Sequence, residues 1–162
     1  MIYLSVPYGK IDVVKPITPC LWFENQAEDA ANYYISVFPN SKITEIIHTP
    51  TDTPSGPKGS LLLVNFEING QPFTGLNGGP FFKISEAISF QVFCKDQAEI
   101  DSYWEKLSAV PESEQCGWCK DKFGVSWQII PENIGVLVKS EAAMKVFLNM
   151  HKIDIETLKN AG

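Results

Sequence analysis

Apolar and polar side chains alternate along Cys116–Pro131, and alternation of that kind marks extended chain. The stretch reads as a hairpin: a strand over Cys116–Lys120, a turn over Asp121–Gly124 and a second strand over Val125–Pro131. Side chains on a strand point to opposite faces in turn. Val125, Trp127 and Ile129 therefore share one face, and Ser126, Gln128 and Ile130 share the other. The first face suits packing beneath a helix. The second suits a wetter surface.

Similar patterns run along the rest of the chain. Ile17–Phe23 reads as a strand, followed by a helix capped by Asn25 with Glu28 completing a capping box. Ala27, Ala30, Ala31, Tyr34 and Phe38 recur at helical spacing and form one apolar stripe. Lys42–Thr49 reads as a strand and Pro50–Gly59 as a loop. In Ser60–Ile68, Leu62, Val64, Phe66 and Ile68 line one face. Asn69-Gly70 is a two-residue hairpin turn leading into a return strand over Gln71–Leu76. Asn77-Gly78-Gly79-Pro80 then breaks the chain as a linker. Beyond it, Ala87–Cys94 alternates as a strand, Asp96 and Glu99 open a helix striped by Ile100, Trp104 and Leu107, and the Cys116–Pro131 hairpin follows. A helix with Ala143, Val146, Phe147 and Met150, and a short amphipathic piece over Ile153–Ala161, end the chain.

The order repeats. Asn25-Gln26-Ala27-Glu28 with Tyr33-Tyr34 matches Asp96-Gln97-Ala98-Glu99 with Tyr103-Trp104, given one deletion in the second helix. Each copy follows a strand and leads to a hairpin, so the reading is an internal duplication of β-α-β-β-β units. Residues 1–15 form an N-terminal arm, 16–78 the first unit, 79–135 the second and 136–162 C-terminal helices, all within one domain. Each unit has one sheet face for its helix and one left over. Pairing the leftover faces would enclose a shared cavity.

Composition narrows the partners. Of 162 residues 44% are apolar, enough for a substantial core, and the net charge is −6. An acidic chain without a Lys/Arg cluster does not suit a nucleic-acid partner. No apolar run reaches the roughly 18 residues a membrane span needs. The N-terminus lacks a basic segment followed by an apolar one, so no signal peptide is expected. The expectation is a cytoplasmic protein whose four cysteines, Cys20, Cys94, Cys116 and Cys119, stay reduced. Cys116-Gly-Trp-Cys119 has redox-motif spacing but lies in a predicted strand rather than at a helix start, and reads as structural.

Several segments carry a resemblance: Thr18-Pro-Cys-Leu-Trp-Phe, Ala27-Glu-Asp-Ala-Ala-Asn-Tyr-Tyr, Phe66-Glu-Ile-Asn-Gly-Gln-Pro-Phe, Asn77-Gly-Gly-Pro, Met150-His-Lys-Ile-Asp-Ile-Glu-Thr-Leu and, most specific, the run from Cys116 to Gln128. With the duplicated units, the chain resembles the vicinal oxygen chelate superfamily, which includes glyoxalases, bleomycin-resistance proteins and extradiol dioxygenases. More narrowly it resembles the PhnB-like branch, whose members often carry a 3-demethylubiquinone 3-methyltransferase label. The resemblance implies an α+β fold of tandem βαβββ modules, the glyoxalase/bleomycin resistance/dihydroxybiphenyl dioxygenase-like fold, with mixed sheets curved around a pocket. It also implies a homodimer, sometimes formed by strand exchange.

Metal-using members of the superfamily draw four ligands from the pocket-facing strands. By that resemblance the second-unit His position falls on Ala87, and the Glu position on Gln128, after Asp121-Lys-Phe-Gly124. The first-unit positions fall near Thr18 and near Phe73 or Thr74. Ala offers no donor, and Thr and Gln are poor ones. The expected ligand pocket comprises Thr18, Cys20, Trp22, Thr74, Ser89, Gln91, Ser126 and Gln128, with no metal and no cofactor. Neutral hydrogen-bonding groups beside an indole suit a small aromatic or hydrophobic molecule. Glu67 is the one carboxylate near that face. The alternatives are a metal-dependent lyase, isomerase or dioxygenase of the same superfamily, or the methyltransferase of the label. A methyltransferase of the usual kind wants a Gly-rich strand-to-helix turn, and Asn77–Pro80 opens no helix.

Overall fold

The computed structural model describes residues 17–162, so the expected arm lies outside the described residues. The first half contains β1 (Cys20–Phe23), α1 (Ala27–Val37), β2 (Lys42–His48), β3 (Leu61–Ile68) and β4 (Gln71–Asn77). The second contains β5 (Ser89–Cys94), α2 (Gln97–Leu107), β6 (Trp118–Lys120) and β7 (Ser126–Pro131). Three short helices follow: α3 (Ile134–Leu137), α4 (Glu141–Leu148) and α5 (Ile155–Ala161). The strands form two mixed sheets, ordered β1-β4-β3-β2 and β5-β7-β6. In each, the first strand runs parallel to the last and the others pair antiparallel.

The second sheet has three strands rather than the four expected of a full unit. Where a counterpart of β2 would lie, the short connection from Leu107 to Trp118 makes a 3-10 turn at Pro111–Ser113. Proline has no N–H to give a ladder, and its ring suits the first turn of a helix. The C-terminal segment bonds the chain just before β6: Cys116 N–H donates to Met150 O at 2.7 Å, and Gly117 N–H to His151 O at 2.8 Å.

Local signals explain several elements. Asn69 and Gly70 have φ of +48° and +79°, as a two-residue hairpin between twisted strands requires. Asp96 caps α2 by accepting from Glu99 N–H at 2.9 Å. The start of α1 departs from expectation. Its cap position is Gln26, which makes no side-chain cap bond, and Ala27 N–H donates instead to Asn77 Oδ1 at 2.9 Å. Asn77 arrives from the end of β4, so a tertiary contact does the work expected of Asn25. The two helices have the same length: a constant offset of 70 residues carries Ala27–Val37 onto Gln97–Leu107 and Tyr33-Tyr34 onto Tyr103-Trp104.

The sheets meet on their helix-side faces. Phe73 of β4 lies 5.2 Å from Phe90 of β5, and Tyr34 of α1 and Phe38, which caps its C-terminus, pack against Trp127 of β7 at 5.5 and 5.2 Å. Among the described residues, no strand of one sheet is hydrogen-bonded to a strand of the other. Burying aromatic rings of this size contributes about 1.5–3 kcal/mol each.

One buried carboxylate ties the halves together. Asp121 Oδ2 accepts from Tyr34 Oη at 2.9 Å and from Trp127 Nε1 at 2.8 Å. Its Oδ1 accepts from the N–H groups of Phe123 and Val125 at 2.8 and 3.0 Å. Burial raises this carboxyl above its ordinary range while those donors pull it down.

Candidate functional site

The linker expected at Asn77-Gly78-Gly79-Pro80 is a clamp. Trp22 Nε1 donates to Gly79 O at 2.8 Å, and the Gly78 and Gly79 N–H groups bond back to Phe23 and Glu24. A Cβ on Gly78 would lie 2.3 Å from the Trp22 indole, so only glycine fits there. Phe82 stands edge-on to that indole, ring centres 4.8 Å apart.

The clamped indole forms one wall of a cavity of about 240 Å³ at the junction of the two halves. Cys20, Leu21 and Trp22 of β1 stand on one side. Lys83, Ile84, Ser85, Ala87 and Ile88, from the segment entering β5, stand on another, with Phe90 and Val125. Two of the eight expected pocket residues, Cys20 and Trp22, therefore meet Ala87, the position where metal-using proteins would place His. An engineered apolar cavity of about 150 Å³ holds benzene, so this space suits a single ring.

The other six expected residues lie elsewhere. Thr18 is exposed and precedes β1, which begins at Cys20; Pro19 has no N–H to donate, though its carbonyl accepts from Thr74 N–H. Thr74 donates to Asn65 Oδ1 at 2.8 Å, and Asn65 donates on to Glu45 at 2.9 Å. On the second sheet, Gln128 Nε2 donates to Ser89 Oγ at 2.7 Å, and Gln91 Nε2 to Gln128 Oε1 at 3.3 Å. Ser126 is buried, and among the described residues its hydroxyl has no partner. The two polar rows belong to different sheets, and none of the described hydrogen bonds joins them. Gln91 also borders a cavity of about 390 Å³ walled by Phe38, Phe73, Phe90, Phe93, Tyr103 and Trp127 on the helix side. Glu67 pairs with Lys42 at 3.4 Å, outside the 240 Å³ cavity.

The second sheet also carries a charged pair on its outward face. Cys119 faces the core, so Trp118 and Lys120 on either side face the opposite way, in register with Gln128 and Ser126. The alternation of β6 carried this signal. Lys120 is partly buried and its Nζ bonds the carboxylate of Glu86.

The donor set does not fit a catalytic metal. Ala87 has no donor atom, Gln128 and Thr74 are committed to neighbours, and among the described residues no group of three or more His, Cys, Asp or Glu is placed to hold an ion. Partial burial shifts the Cys20 thiol upward, although the residue is exposed at the cavity mouth. The cavity wall thus supplies shape and apolar surface without a poised acid–base pair.

This is a PhnB-like protein with a vicinal-oxygen-chelate-like fold. Residues 15–130 match the family model described as 3-demethylubiquinone-9 3-methyltransferase, and the chain belongs to that family. It resembles the PhnB protein of Bacillus cereus, described as a candidate 3-demethylubiquinone-9 3-methyltransferase, with 34% identity and a TM-score of 0.59 over 72% of this chain and 99% of that one. The fold also resembles protein PA1353 of Pseudomonas aeruginosa, with 15% identity and a TM-score of 0.54 over 71% of this chain and 96% of that one. Among curated proteins there is no match. The family match ends at residue 130, so α3, α4 and α5 lie beyond it. Among the described residues no helix is long and apolar enough to cross a membrane.

Proposed function

We propose that this chain is a cytoplasmic binding protein that holds a small aromatic or hydrophobic molecule without a metal. The observation that carries this reading is the junction cavity, where the clamped Trp22 faces Ala87, Ile88 and Phe90. An indole edge, aliphatic side chains and a ring give dispersion and shape selection. The spent donors at the former ligand positions support binding over metal-assisted chemistry. The duplicated plan supports the same two-unit pocket. A second copy of the chain would cover Phe81, Phe82 and Ile88, which are 64%, 67% and 70% exposed beside the cavity.

Thermal-shift screening of single-ring aromatic compounds tests the proposal. A ligand at a hundred times its Kd adds about 2.7 kcal/mol, and for a chain of this size raises Tm by about 5–11 °C. S-adenosylmethionine is expected to give no shift, and size-exclusion chromatography with light scattering to give a dimer mass. Stoichiometric Zn, Ni or Fe in protein purified without chelators would overturn the metal-free reading.

A further inference from the structure

The cavity beside Trp22 does not end at that indole. Trp22, Lys83 and Ile84 also stand in the wall of a second cavity, of about 280 Å³, which adds Phe23, Glu24, Gln26, Phe82, Phe123 and Gly124. The wall residues run in opposite order, drawn from 20–22 and 83–88 around the first space and from 22–26 and 80–84 around the second. The two spaces are therefore the ends of one groove between β1 and the strap that enters β5. Charge is confined to part of it. Among the described residues Lys83 and Glu24 are the only charged side chains in either wall, and neither forms an ion pair. Lys83 stands at the boundary, in both walls, and Glu24 beyond it. Gly79 N–H donates to Glu24 O at 3.1 Å, so the clamp holds the Glu24 backbone against the strap. Lysine carries its ammonium on a flexible four-carbon stem and can reach either end from position 83.

We propose that the groove binds an aromatic amino acid, its ring beside Trp22 in the first cavity, its carboxylate paired with Lys83 and its ammonium with Glu24. This rests on the binding reading above and narrows its ligand class. A bare ring would need the first cavity alone. Two unpaired charges of opposite sign fit a zwitterion: a simple carboxylate leaves Glu24 unmatched, and a simple amine leaves Lys83 unmatched. An amino acid carries both charges on the carbon next to the one that bears its ring, so ring and charges fall on adjoining parts of the groove. Gln26, whose amide both donates and accepts, stands in the charged end. A ligand of zero net charge also meets no repulsion from a chain of net charge −6.

Isothermal titration with phenylalanine, phenylalaninamide, hydrocinnamate and phenethyl alcohol tests this. The amide lacks the carboxylate, hydrocinnamate lacks the ammonium, and the alcohol lacks both. Wild type is expected to bind phenylalanine about two- to fivefold tighter than either singly charged analogue, the range for exposed ion pairs. Lys83→Met removes the preference over the amide and keeps that over hydrocinnamate. Glu24→Gln does the reverse. Both variants should hold the wild-type Tm, because both side chains are exposed. Phenylalanine binding no tighter than its analogues, or a preference that survives its matching variant, overturns the amino-acid assignment. Binding of phenethyl alcohol would then leave the aromatic-binding reading standing. If none of the four compounds binds at millimolar concentration, both fall.

Discussion

Replacing Asp121 by Asn probes the contact that joins the two halves. The carboxylate accepts four hydrogen bonds, two from side chains and two from backbone. An amide has one acceptor oxygen. If that oxygen keeps the Phe123 and Val125 N–H groups, the amide NH₂ faces Tyr34 and Trp127. The tyrosine hydroxyl can turn and accept. The indole N–H is a donor only and is left unpaired in the core, at about 1–3 kcal/mol. The backbone bonds also lose charge assistance, about 1 kcal/mol each. Relief of carboxylate desolvation offsets part of this, leaving a net loss of about 2–4 kcal/mol. The corresponding fall in Tm is about 4–16 °C for a chain of this size. Tyr34→Phe is expected to cost about 1.5–3 kcal/mol by itself. The double variant should lose less than the sum, because both changes act on one network. Urea unfolding followed by tryptophan fluorescence measures all three.

The pH dependence gives a second readout. Burial holds Asp121 above the ordinary carboxylate range, so the folded chain binds that proton more tightly than the unfolded chain does. Its contribution to stability is complete below the ordinary value of about 3.9. It declines as pH rises through the raised value. The margin of wild type over Asp121→Asn should therefore narrow as pH climbs across that window. A variant within about 0.5 kcal/mol of wild type, the usual scatter for surface changes, would refute the reasoning.

Two further outcomes are expected. Gly78→Ala forces a Cβ into the Trp22 indole and should cost about 1–3 kcal/mol as overpacking, with a lower Tm and weaker binding of whichever aromatic compound wild type takes; an unchanged Tm would show that the indole is free to move. Burial pushes the thiols of Cys94 and Cys119 up to about 12, so at pH 8 iodoacetamide should label Cys116 and Cys20 in the folded chain and reach the other two only in urea, as read by peptide mass spectrometry. Labelling of Cys119 at the rate of Cys116 would contradict the packed hairpin.

Much of the architecture is written in short-range pattern. The faces of β7, the Asn69-Gly70 turn and the Asp96 cap each depend on residues within a few positions of one another. Steric limits on φ and ψ, and the exchange of water for apolar neighbours, act on those residues wherever the chain goes. The same holds for Lys120, which alternation along β6 sets on the face opposite Cys119. Other features exist only once distant segments meet. The start of α1 is capped from 50 residues away by Asn77, and Tyr34 reaches Asp121 across 87. The expected pocket was divided for the same reason. Alternation says which side chains share a face of one sheet, but not how two sheets are set against each other. That orientation follows from the packing of Tyr34, Phe38, Phe73, Phe90 and Trp127, whose ring contacts form only in the assembled core.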